Sequence, residues 1–155
     1  MSDKIKRAKR KIEYPVRTEV EILTPLDYRD LLNGKDVKLL SHFRVKLIEH
    51  YRDGTIEIRI ITVEKDFISD LASVPWLFQR TFPRFGPWNA AAVVHDWIFI
   101  TGKIEGRPVT RETADRVFLA IMQASGCGWR SYPMYVAVRI GGKWLWERNR
   151  GNDKK

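Results

Sequence analysis

Residues 42–63 read His42-Phe-Arg-Val-Lys-Leu-Ile-Glu-His-Tyr-Arg-Asp-Gly-Thr-Ile-Glu-Ile-Arg-Ile-Ile-Thr-Val63. On both sides of the middle, apolar and charged side chains alternate with the two-residue period of a half-buried strand. Between the runs stands Tyr51-Arg-Asp-Gly54, and Asp-Gly is a hairpin turn signal because both positions tolerate positive φ. The stretch therefore predicts an antiparallel β-hairpin. Upstream, Arg17-Thr-Glu-Val-Glu-Ile-Leu23 alternates in the same way and predicts another strand, ended by Pro25. Residues 26–40 carry a turn signal at Asn33-Gly34 without a sustained period and read as an irregular connection.

Further along, the period changes. Trp88, Ala91, Ala92, His95 and Phe99 fall on one face of a helix. Gly102 and Gly106-Arg-Pro108 close it with a loop. Thr110 is a helix N-cap, and the helix it starts carries Ala114, Val117, Phe118, Ile121 and Met122 as an apolar stripe before Gly126 and Gly128 end it. A last helical stretch covers 131–140, with a break or bend expected at Gly141-Gly142. Strands and helices in separate blocks give the α+β class: an N-terminal antiparallel β-hairpin and small sheet packed on a C-terminal group of about three helices.

The 155 residues suit one domain, with 44% hydrophobic and 30% charged residues, proportions of a globular chain rather than a disordered one. No apolar run reaches the roughly 20 residues a membrane helix needs, and the basic N-terminus lacks the apolar stretch of a secretion signal. Cys127 is the one cysteine, so internal disulfides and cysteine-built metal sites are excluded. The net charge of +9 is unevenly spread: residues 1–12 carry +5, residues 143–155 carry +3, and residues 13–142 carry +1. This divides the chain into a basic flexible arm (1–12), a single globular domain (13–142) and a basic, Trp-containing tail (143–155). Such arms bind phosphate backbones without reading sequence, but charge runs are more often solvated ends, so nucleic acid is the less favoured partner.

Three features carry candidate chemistry. The joint Asp66-Phe-Ile-Ser-Asp70-Leu-Ala-Ser73-Val-Pro75 mixes polar and large apolar residues in a segment too rich in proline for a plain strand. His95-Asp96 places an imidazole on the apolar side of its helix. Asp115 sits mid-helix at the border of an apolar face, where a carboxylate calls for a partner. Neighbouring helices would bring His95 and Asp115 together, fix the tautomer and leave the other ring nitrogen free to take a proton. The same pair would equally serve as a structural link. The catalytic candidates are therefore His95, Asp115, Asp96 and Asp70; Ser73, Trp97 and Tyr135 are candidate substrate contacts; Asp70 or Asp96 is the candidate ligand of a divalent cation. Phosphate-binding glycine loops, His-Glu-x-x-His and Gly-x-Ser-x-Gly are absent from the sequence.

The blocks Asp70-x-Ala-Ser73-x-Pro75, Ala91-Ala-Val-Val-His95-Asp96, Thr110-Arg111-x-x-Ala114-Asp115-x-x-Phe118 and Met134-Tyr135-x-Ala137-Val138-Arg139, in this order, resemble an uncharacterised family of tailed-phage and prophage proteins, a domain of unknown function. The resemblance covers about residues 55–142. It implies phage or prophage origin, a place in the host cytoplasm or the virion, and a phage structural or host protein as partner. His95, Asp96 and Asp115 are also similar, in order, to the helix pair of phospholipase A2. There the histidine activates water, the adjacent aspartate binds calcium, and a second helix supplies an aspartate that orients the histidine. This chain departs from that pattern in having neither a disulfide framework nor a glycine-rich calcium loop. Two expectations follow: a hydrolase-like site acting on cell-wall, lipid or nucleotide esters, or a non-enzymatic virion or host-interaction protein in which the pair is a brace.

Overall fold

The hairpin forms as its alternation and turn dictate. In the computed structural model, which describes residues 13–71 and 83–152, strand β4 (Phe43–His50) pairs antiparallel with β5 (Ile56–Val63). The turn is closed by the Gly54 amide donating to the Tyr51 carbonyl at 3.0 Å, with Gly54 at φ +85°. Strand β1 (Arg17–Ile22) adds to the other edge of β4, giving the order β1-β4-β5. Phe43, Val45 and Leu47 face inward and pair with Val63, Ile61 and Arg59.

Towards the hairpin tip that register turns charged residues inward. Val63 and Ile61 are buried, so every second residue back from them also faces inward, and these are Arg59 and Glu57. Ile56 and Ile58, which look like core residues in the sequence, are instead mostly exposed. Glu49 consequently turns inward. It is 2% exposed and held by a two-point ion pair, Arg59 Nε and Nη2 donating to its two carboxylate oxygens at 2.7 Å each.

Residues 26–40 are more regular than expected. β2 (Tyr28–Asp30) and β3 (Val37–Leu39) pair around the Asn33-Gly34 turn, and β6 (Ile68–Ser69) joins β3 in a second small sheet. Strands of two or three residues show no period, which hides them from a pattern reading. A further two-stranded ribbon, β7 (Lys103–Ile104) and β8 (Arg107–Pro108), occupies the expected loop.

Three helices complete the α+β architecture. α1 (Asn89–Thr101) is buried over five consecutive residues, Ala91 to His95, so it runs through the centre and presents different residues to different layers. α2 (Arg111–Ala124) begins as expected, the Thr110 hydroxyl accepting from the Thr113 amide, and buries Ala114, Val117, Phe118, Ile121 and Met122. α2 lies against α1 and β1, and α1 against β5 and β6. A 3₁₀ turn (Gly128–Arg130) leads into α3.

α3 corrects the expected break: it runs unbroken from Ser131 to Asn152, across Gly141-Gly142. Gly142 lies close to α1: a Cβ there would stand 3.1 Å from the Phe99 ring, so the ring would have to give by a few tenths of an ångström. The residues after it are built into the fold. Leu145 and Trp146 pack on the core, Asn149 donates to the Phe99 carbonyl, and Arg150 donates to the carbonyls of Phe99 and Ile100. These bonds satisfy carbonyls that a helix end leaves without partners. Gly102, at φ +66°, ends α1 where the Arg150 guanidinium leaves no space for a side chain. The basic segment 1–12 lies outside the described residues.

Candidate functional site

α1 carries His95 and Asp96 side by side, and consecutive helical residues point about 100° apart. They therefore enter two different polar groups. His95 turns to α2, where its Nε2 meets Asp115 Oδ1 at 2.7 Å. Asp115 Oδ2 accepts from Arg139 Nη1 of α3 at 2.8 Å, with Arg111 Nη1 at 3.6 Å. Asp115 is completely buried and His95 is 8% exposed. The imidazole lies between rings, 4.1 Å from the Phe99 centroid and 5.0 Å from that of Phe118. The expected meeting of His95 and Asp115 is thus in place, and one carboxylate links all three helices. Among the described residues, nothing hydrogen-bonds the second ring nitrogen, Nδ1.

Asp96 turns to the small sheet. Its Oδ2 accepts from Ser69 Oγ at 2.5 Å, and Asp70 lies against its carboxyl group. Burial, and then the adjacent Asp70 charge, push the Asp96 carboxyl well above the usual carboxylate range, while the Ser69 bond pulls the other way. Ser69 Oγ also accepts from the Leu71 amide at 3.1 Å, and Leu71 is a buried leucine held at φ +53°. A non-glycine residue in the left-handed region is strained, and here the strain borders the acid pair.

A raised folded-state value means that Asp96 binds a proton in the folded chain at pH values where the unfolded chain has lost it. Its contribution to stability is present below the ordinary carboxylate value and is lost as pH rises through the raised one. Asp96→Asn is therefore expected to melt higher than the parent chain at about pH 8, and the gap to close towards about pH 4. Thermal melts of both proteins across that range check the sign.

Of the remaining candidates, Tyr135 stands one turn before Arg139 on the same side of α3 and so flanks the His95–Asp115 group. Trp97 does not. Its ring meets Phe67 edge-on at 5.2 Å, and it borders a separate cavity of about 550 Å³ shared with Arg44, Ile60 and Lys103. Ser73 lies outside the described residues. Asp70, Asp96 and Ser69 offer the oxygen ligands a hard cation takes, but no group of three or more His, Cys, Asp or Glu is arranged around a metal position among the described residues.

Sequence reasoning missed three partners. Arg111 lies four residues before Asp115, the helical spacing of an ion pair, and that spacing is a usable signal. Arg139 and Ser69 come from other elements, and nothing local announces them.

No curated protein and no solved structure matches the chain. The family model described as a protein of unknown function, DUF1353, matches residues 44–138, a span from the central hairpin to α3 that takes in Ser69, Asp70, His95, Asp96 and Asp115 and ends one residue short of Arg139. The chain belongs to the DUF1353 family.

Proposed function

We propose that this chain is a phage- or prophage-derived hydrolase-like protein whose general base is His95, acting on cell-wall, lipid or nucleotide esters. One observation carries the reading: Asp115 takes Nε2 and leaves Nδ1 as the basic nitrogen of the ring. A carboxylate on one imidazole nitrogen holds the tautomer with its proton there, and the lone pair then sits on the other. Nδ1 would accept a proton from water as that water attacks an ester carbonyl or phosphoryl centre. Asp115 would stabilise the imidazolium so formed, and Arg139 keeps the carboxylate in place. Asp96 of α1 and Asp70, just after β6, would orient substrate or a divalent cation.

A second reading rests on the same group's burial. With Asp115 inaccessible and the imidazole between Phe99 and Phe118, the pair has the form of a brace between helices in a non-enzymatic virion or host-interaction protein. Assays on a p-nitrophenyl ester, a phospholipid, a phosphodiester and a cell-wall fragment, with and without calcium, separate the two. The hydrolase reading expects activity on one of them that His95→Ala lowers by about 100-fold or more, the smaller end of a general base's contribution, in a chain that still folds. Inactivity of the parent chain on all four, or activity that His95→Ala leaves intact, overturns it in favour of the brace.

A further inference from the structure

We propose that the outward face of α3 docks on an anionic membrane surface. The helix is packed on one side only, through Met134, Val138, Leu145 and Trp146. On the opposite side Tyr132, Val136, Ile140 and Trp144 recur every four residues and form a stripe roughly 18 Å long. Ile140 is 78% exposed and Trp144 67%, and Tyr132 and Val136 are each more than half exposed. Trp129, in the turn before the helix, is 65% exposed. An isolated exposed apolar residue is ordinary, but a continuous row on one helix face marks an interaction surface.

The charge around the stripe selects the occupant. Arg130 stacks on Trp129 at 5.6 Å and Arg148 on Trp144 at 4.6 Å, so each end pairs an indole with a guanidinium. Lys143 lies alongside, 4.0 Å from Glu147, the one acidic residue within α3. Arg139 and Arg150 are occupied inward, by Asp115 and by the carbonyls of α1. Indoles beside cations, with aliphatic side chains between them, is the composition of a helix lying in a lipid interface: rings at the headgroup boundary, aliphatics below, cations on lipid phosphates. A phosphate backbone in water would offer Val136 and Ile140 nothing. Among the described residues no helix is long and apolar enough to cross a membrane, so α3 would lie on the surface. The +9 net charge, with +5 in residues 1–12, adds attraction of the same sign. This surface is independent of the chemistry proposed for His95.

The test is co-sedimentation of the full chain with sucrose-loaded phosphatidylcholine vesicles, with and without about one third phosphatidylglycerol. The chain is expected to pellet with the anionic vesicles and not with the neutral ones, and to be released by salt as charges are screened. Ile140→Ser with Trp144→Ser is expected to lower partitioning roughly tenfold or more without shifting the thermal melt. His95→Ala should bind as the parent does, so the catalytic reading can fail while this one stands. No pelleting with anionic vesicles overturns the proposal, as does pelleting that the double variant leaves unchanged. Self-association in vesicle-free buffer that the double variant abolishes overturns it too, assigning the stripe to a second copy. Retention on DNA without retention on vesicles does the same, assigning the charge to nucleic acid.

Discussion

Asp115→Ala is expected to lower the free energy of unfolding by about 3–5 kcal/mol, the cost of removing one partner from a buried ionic group. The carboxylate is wholly buried and serves His95 on one oxygen and Arg139 on the other, so its loss leaves an imidazole N–H and a guanidinium without their acceptor. Arg139 is 30% exposed and can turn partly to water, which places the expected value at the lower end of that range. Asp115→Asn should cost less, about 1–3 kcal/mol, because its amide oxygen still serves one donor while its NH₂ opposes the other. Equilibrium urea denaturation at neutral pH measures both. A loss under about 1 kcal/mol for Asp115→Ala would show that this carboxylate is not the junction of the three helices. The stability loss is expected under either reading, so the His95→Ala assays are what separate them. A pure brace loses stability and has no hydrolysis to lose.

The second large effect is expected at Glu49, where replacement by leucine should cost about 3–5 kcal/mol by stranding Arg59 on the inner face of the sheet. Both groups are withdrawn from water, Glu49 at 2% and Arg59 at 12% exposure, and two bonds of 2.7 Å fix their geometry. Burial opposes the charge on Arg59, but the hydrogen bonds and the charge of Glu49 outweigh it, and the guanidinium value is raised. Because the cost is that of an unpaired charge, removing the second partner should recover most of it: Glu49→Leu with Arg59→Met is expected near the parent stability. If the double variant is no more stable than the single one, the loss comes from shape and not from a stranded cation.

The legible parts of this fold are those that a local rule determines. The Asp53-Gly54 turn sets the β4–β5 register, and Thr110 sets the start of α2. The polarity of the hairpin tip is not legible. Ile56 and Ile58 mimic a buried alternation, whereas the inward face is decided by Ile61 and Val63 further along the strand, and their parity sends Arg59 inward. Gly141-Gly142 looks like a break because glycine weakens an isolated helix, but the helix continues across it into residues that pack on the core and hydrogen-bond to α1. For the site, the pairing of His95 with Asp115 is readable from the need of a buried carboxylate for a partner. Arg139 and Ser69 depend on which third element packs there, and that is a property of the tertiary fold.

The clamp of α3 on α1 also bears on how the chain assembles. Arg150 reaches back 50 and 51 residues to the carbonyls at the end of α1. In synthesis from the amino end, the hairpin is complete before the donors at positions 149 and 150 exist. A chain cut short of these two positions would leave the Phe99 carbonyl without both donors and the Ile100 carbonyl without Arg150, so the last turn of α1 would fray before the rest of the helix.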